Sequence, residues 1–274
     1  MCIQLSFPFH PYPFKSLVRM STTKYISISS QKGGVGKTTI NILAASAFHF
    51  LLKQRVAVID CDYPQHSLQG LRDKELELLT TSPEKANEFR ALGRQAYPIE
   101  ACQVKDALGV AKQMDGEFDL VFIDTPGTIN VPGIIELWKQ LDYVFMPMES
   151  DRLSVEATLP YAQVLEKFAK GQPGSRLKQY YAFWNKHIKS EKQDFYERTE
   201  AYFAEQGIPF LQSRLEHSVN YKKDAMRSTM FPLGKEFQRL GISGLIKEIA
   251  QVAFSENAVQ STDPVIVAKA NEAL

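Results

Sequence analysis

The sequence predicts an α/β fold: a mostly parallel twisted sheet with helices on both faces. Three observations carry this. Short β-branched and apolar runs alternate with longer stretches of helical periodicity between residues 25 and 254. Several runs are apolar at nearly every position, as strands covered on both faces must be. Two of them, Val56–Asp60 and Leu120–Asp124, end in an aspartate. That places acidic groups at the carboxyl edge of the sheet, where such folds bind ligands.

Residues 1–23 do not share the alternation. Pro and His interrupt the aromatics between Phe7 and Phe14, and Lys15 and Arg19 follow the apolar part, the reverse of a secretory signal. The segment reads as an unstructured tail or a start placed too early, with Met20 the true one. The domain proper spans 24–254. Its strands are Tyr25–Ser29, Val56–Asp60, Leu120–Asp124, Tyr143–Met148 and Tyr180–Trp184. Its helices are Thr38–Lys53, Lys105–Met114, Ser154–Lys170, Glu191–Glu205 and Ser243–Phe254. The fourth helix places Phe195, Thr199, Tyr202 and Phe203 on one side. Residues 71–104, rich in charge and broken by Pro83, Gly93 and Pro98, read as a mobile insertion. Residues 255–274 read as a loosely ordered tail.

Composition narrows the function classes. The 274 residues are 44% hydrophobic and 23% charged, which excludes a fully disordered chain. Lys plus Arg number 32 against 31 Asp plus Glu, so no general basic coat for nucleic acid exists, though a local patch can. The three cysteines, Cys2, Cys61 and Cys102, are separated and form no C-x-x-C, which argues against a disulfide scaffold or a cysteine zinc site and suits a reducing cytoplasm. No run of 18 apolar residues exists, so no transmembrane helix is expected.

The most informative segment is Gln31-Lys32-Gly33-Gly34-Val35-Gly36-Lys37-Thr38-Thr39, between the first strand and the first helix. Glycines permit a tight turn that aims backbone N–H groups inward, and the helix N-terminus adds partial positive charge. Lys37 can reach β- and γ-phosphates, Thr38 can ligate Mg²⁺, and Thr39 can bond an α-phosphate oxygen. Gln31 stands where the general phosphate-loop pattern has its first glycine, and Lys32 adds a second lysine. Asp124, after an apolar strand and before Thr125-Pro-Gly127, fits a Walker B carboxylate and a turn able to sense a γ-phosphate. Asp60 can also serve magnesium, and Asp62 can orient an attacking water. Glu149, Asp151 and Arg152 follow a strand end and could touch the site or a partner. Trp138 and Trp184 read as core. The five histidines show no metal spacing.

These residues resemble the ParA/MinD-type deviant Walker A P-loop ATPases (the SIMIBI class) from about Lys24 to Phe254. The stretches Gln31–Thr39, Val58–Gln65 and Phe118–Gly127 carry the likeness. Within that family, Val56–Gln65 and Tyr221–Pro232 look most like the ParA-like ATPases of Bacteroides-group conjugative transposons. The resemblance implies ATP and Mg²⁺ as ligands, slow hydrolysis and a nucleotide-sandwich homodimer. It implies that Lys32 reaches across the dimer to the partner's phosphates, that Asp62 is needed for hydrolysis, and that Asp60 and Asp124 lie near magnesium. It places Asn185, Pro209 and Phe210 near the adenine. It also implies a stimulating partner and nonspecific DNA binding, for which Arg214, Lys222, Lys223 and Arg227 are the candidate basic residues. Leu245, Ile246 and Ile249 form an apolar face that reads as core packing rather than a membrane helix. Three alternatives stay open. A small-molecule ligase could use the same loop. A scaffold could bind nucleotide without hydrolysing it. An iron-protein reductase of the fold is disfavoured, because Cys102 lacks a good partner.

Overall fold

The computed structural model describes residues 22–191, 193–222, 226–231 and 239–258. Seven parallel strands form one sheet in the order β3-β2-β4-β1-β5-β6-β7. They are β1 (Lys24–Ile28), β2 (Val56–Asp60), β3 (Ile99–Ala101), β4 (Leu120–Asp124), β5 (Tyr143–Met148), β6 (Gln179–His187) and β7 (Phe210–Glu216). The helices are α1 (Lys37–Ser46), α2 (Ser67–Thr81), α3 (Pro83–Ala91), α4 (Ala107–Met114), α5 (Ile134–Lys139), α6 (Arg152–Ala169), α7 (Gln193–Glu205) and α8 (Ile242–Ala258).

Strand side chains alternate between two cores, because successive residues of a strand point to opposite faces. Ile26, Val58 and Phe122 pack with Leu43 of α1, Phe48 of the π-helical turn that follows it and Ile246 of α8. Tyr25, Ile59 and Val121 pack on the other face with Met114 of α4, Leu137 of α5 and Leu165 of α6. The inner strands β1, β2, β4 and β5 are buried at every position, which explains their mostly apolar sequences. Trp138 and Trp184 are core residues, and Leu245, Ile246 and Ile249 are fully buried under the sheet.

Residues 71–104 are not a mobile insertion. They complete α2, form α3 and supply the edge strand β3. Two of their charges are buried and satisfied internally. The buried Arg72 guanidinium donates to the Tyr97 carbonyl (2.6 Å), the Thr229 carbonyl (3.0 Å) and the Thr229 hydroxyl (2.7 Å). The Glu75 carboxylate accepts from the Thr229 amide (3.0 Å) and from the Ser228 and Thr229 hydroxyls. Ser82 caps α3 by accepting from the Lys85 amide (3.3 Å), and Pro83 sits in its first turn. The first helix is shorter than its pattern predicts, continuing from Ser46 as a π-helical turn over Ala47–Leu51. Strands β3 and β7 and helix α5 add to the elements read from sequence. The predicted tails lie outside the described residues, except that Thr23 is buried and donates to the Phe118 carbonyl (2.8 Å) and that α8 runs to Ala258. Among the described residues no helix is long and apolar enough to cross a membrane.

Candidate nucleotide site

All strands being parallel, their carboxyl ends share one edge of the sheet. The loop after the central strand β1 lies there. Gly34 (φ 72°) and Gly36 (φ 91°) adopt left-handed backbone. A Cβ on Gly36 would stand 2.8 Å from Asn185 Nδ2. Asn185, at the end of β6, donates to the Val35 carbonyl (2.7 Å) and braces the loop from behind.

On one flank stand three carboxylates. Asp60 and Asp124 are paired residues of β2 and β4. Asp124 accepts from the Thr38 hydroxyl (2.8 Å) and from Asn41 Nδ2 (2.8 Å). Burial pushes its carboxyl up to about 7, with Thr38 opposing and Asp60 and Asp62 adding to the rise. Asp60 is fully buried and accepts from the Leu68 (3.0 Å) and Gln69 (3.3 Å) amides at the start of α2. Asp62 is pushed up by burial and then by the Asp60 charge. The Lys37 ammonium donates to the Lys32 carbonyl (3.3 Å), and burial lowers it despite the attraction of Asp124 and Asp62. Gly127 leaves room for it, since a Cβ there would stand 3.0 Å from Lys37 Nζ. Ser29 and Thr125 hydroxyls pair at 2.9 Å and tie the loop's root to the turn after β4.

On the other flank, Lys32 bridges Glu149 (3.3 Å) and Asp151, and Lys186 donates to Glu149 (2.6 Å) and to the Gly34 carbonyl (2.9 Å). Asp151 also caps α6 by accepting from the Ser154 amide (2.9 Å). Arg152 does not join this flank: it is exposed and paired with Glu156 (2.6 Å).

The structure thus gathers Lys32–Thr39, Asp60, Asp62, Asp124 and Asn185 around one loop. It does not gather Pro209 and Phe210. Phe210 opens β7 opposite Ala182, three residues short of Asn185, and its ring packs on Trp184 (5.4 Å) and Phe203 (5.5 Å). Strand direction overrules the sequence reading there, because the start of a parallel strand lies away from the ligand edge. The residues that reach that edge from β7 follow Glu216, which pairs with His187. Nor is Arg214 an open cation: it pairs with Glu200 (2.8 Å) and lies over the Tyr196 ring. Lys223 and the Lys222 side chain lie outside the described residues. Asn41 and Lys186 escaped the sequence reading because neither belongs to a motif. A lysine with positive φ (55°) near the end of a strand, as at Lys186, leaves no signature. Cys61 and Cys102, distant in sequence, stand with sulfurs 4.0 Å apart.

The Thr38 hydroxyl and the Asp124 carboxylate are hard oxygen donors of the kind magnesium takes, while no three acidic side chains converge into a metal cage among the described residues; the loop N–H groups and Lys37 suit phosphate. The family comparison decides the class. A model described as the CobQ/CobB/MinD/ParA nucleotide binding domain matches residues 26–231. The chain belongs to this family. Solved structures agree on the fold. A putative plasmid partition protein from Borrelia burgdorferi bound to AMPPNP matches with TM-score 0.55 and 19% identity, over 85% of this chain and 99% of that one. MinD cell division protein from Aquifex aeolicus matches with TM-score 0.53 and 16% identity, over 88% and 98%. Apo McdA from Cyanthece matches with TM-score 0.53 and 17% identity, over 82% and 98%. No curated protein matches the sequence. The domain is a nucleotide-binding P-loop domain of the ParA/MinD type.

Proposed function

We propose that the protein is a ParA-like ATPase whose MgATP-bound form is a homodimer and whose slow, partner-stimulated hydrolysis returns it to monomers. The observation that carries this is the cluster of Asp60, Asp62 and Asp124 beside Lys37 and Thr38, with a second lysine, Lys32, on the opposite flank. Magnesium, when bound, offsets the phosphate charge and polarises the γ-phosphoryl oxygens. Thr38 and Asp124, with Asp60 behind them, hold it directly or through water. Lys37 balances β- and γ-phosphate charge. Asp62 orients the attacking water and accepts its proton as the bond forms. Lys32 leaves Glu149 and Asp151 to neutralise phosphate across the dimer. ATP then favours the dimer by its differential affinity for the two states. Asn185 sets the loop edge against which the base lies.

The work done by this switch is partitioning or positioning of DNA or a conjugative-element cargo, a reading supported by family membership and by the Bacteroides-type stretches Val56–Gln65 and Tyr221–Pro232. Lys222, Lys223 and Arg227 are the remaining candidates for nonspecific phosphate contacts, which salt would weaken steeply. The test is light scattering of wild type and Asp62→Ala with MgATP against MgADP. A dimer seen only with ATP, and most persistent in Asp62→Ala, is the expected result. Unchanged mass with proven ATP binding overturns the switch and favours a small-molecule ligase or a fixed scaffold.

A further inference from the structure

Cys61 and Cys102 sit in register on neighbouring strands. Asp60 of β2 pairs with Ala101 of β3, and each chain then continues by one residue into a cysteine. The Cys102 amide donates to the Asp60 carbonyl (3.1 Å), so the two backbones are still laddered at that point. Neighbouring strands run about 4.8 Å apart, within the ~4.4–6.8 Å Cα spacing that a disulfide spans. The sulfurs lie 4.0 Å apart as free thiols. Cys61 is buried, whereas Cys102 is part-exposed. Cys61 is itself flanked by Asp60 and Asp62, and its amide donates to the Asp124 carbonyl (2.9 Å). A bond between these sulfurs would therefore act on the segment that carries the site's carboxylates.

We propose that Cys61 and Cys102 form a reversible dithiol–disulfide site that takes a hydroperoxide as oxidant and, when closed, ties the Asp62 segment to the edge strand. Cys102 is the attacking sulfur, since an oxidant can reach it. The Cys102 thiolate takes one oxygen of the peroxide and becomes a sulfenic acid, and the other oxygen leaves as water or alcohol after gaining a proton. The Cys61 sulfur then attacks the Cys102 sulfur, and hydroxide leaves with the Cys61 proton as a second water. Two thiols lose two electrons, the peroxide gains them, and one S–S bond forms. A dithiol reductant reverses the step by exchange. The effect on turnover rests on the proposed role of Asp62 in hydrolysis; the disulfide itself does not.

The experiment uses the full chain, reduced and then treated with hydrogen peroxide. Peptide mapping should join the Cys61 and Cys102 peptides while Cys2 stays open to alkylation. Amide hydrogen exchange across residues 61–70 should slow on oxidation and recover with dithiothreitol. ATP turnover should fall severalfold in the wild type, recover with the reductant, and be indifferent to peroxide in Cys102→Ser. The site is overturned if both thiols stay alkylatable or oxidise separately without joining. The clamp is overturned if the peptides join and exchange across 61–70 is unchanged. A joined pair with slowed exchange, in a protein whose reduced form shows no turnover at all, sinks the hydrolysis reading and leaves the redox site standing.

Discussion

The two flanks of the glycine-rich loop hold acidic groups in opposite electrical states. On the β2–β4 side, Asp60 and Asp124 are fully buried and meet amides, a hydroxyl and a carboxamide. On the β5–β6 side, Glu149 and Asp151 are part-exposed and already paired with Lys32 and Lys186. A buried carboxylate is costly until a cation arrives, and only the His66 imidazole, with Nδ1 4.0 Å from Asp60, stands by as an ion-pair partner in the described contacts, whereas a solvated pair is near balance and easily exchanged. On the proposed function, the contrast means that the first flank would receive a cation and the second would release Lys32.

The strongest way to break the comparison is to remove charge from the first flank. Lys37→Ala should lower ATP turnover by about 10²–10³, the order seen when a preorganised charge-stabilising donor is lost. Asp62→Ala should lower it by a comparable ~10²–10⁴ with ATP binding retained, read by single-turnover hydrolysis beside a binding titration. Intact turnover in Asp62→Ala would move the water-orienting role elsewhere.

Gly36→Ala comes next. Its φ of 91° and the 2.8 Å approach of Asn185 Nδ2 leave no room for a methyl group. A loss of roughly 1–3 kcal/mol in stability is expected from thermal or denaturant melts, with weaker nucleotide binding.

Titration sharpens the contrast. Asp124 is raised from 3.8 to about 7 by burial, so the folded form keeps a proton that the unfolded chain has lost between those values. Its contribution to stability therefore falls as pH rises from about 4 to about 7, and Asp124→Asn should abolish that slope in pH-dependent melts. Magnesium-dependent nucleotide affinity should move the opposite way, strengthening from pH 6 to pH 8 as the carboxylate forms. Buried His49 provides an internal reference. Its imidazole is lowered to about 3 by burial, so its contribution is lost as pH falls from 6.5 toward 3.

The smallest effect belongs to the second flank. Asp151→Asn keeps an N-cap oxygen for the Ser154 amide and removes one partner of Lys32. Stability should change by under about 1 kcal/mol, and the ATP concentration needed for dimerisation should fall by a few fold. A large loss of stability would make that pair structural.

The phosphate loop and the inner strands were legible because their local chemistry and their tertiary setting agree. Val56–Asp60 is apolar on both faces and buried on both. Helices α2 and α3 were illegible because their charges look solvated. Only the fold reveals that Arg72 and Glu75 face Tyr97, Ser228 and Thr229. Strand β3 has three residues, too few for any periodicity to register. Pro209 and Phe210 were placed near the adenine by the family resemblance alone, and strand direction puts Phe210 at the start of β7, away from the ligand edge. The pairing of Cys61 with Cys102 depends on the β2–β3 register, which nothing local encodes.

The position of β1 has a consequence for synthesis. Among the described strands it is the first to leave the ribosome, yet it becomes the middle of the sheet, beside β4 at Leu120 and β5 at Tyr143. Translation at about 5–20 residues per second delays its second neighbour by roughly 6–24 s. During that interval the nascent chain carries an unsheltered apolar strand and a loop that has nothing to hold it. The nucleotide site is therefore a late product of translation, complete only after Asn185 has emerged.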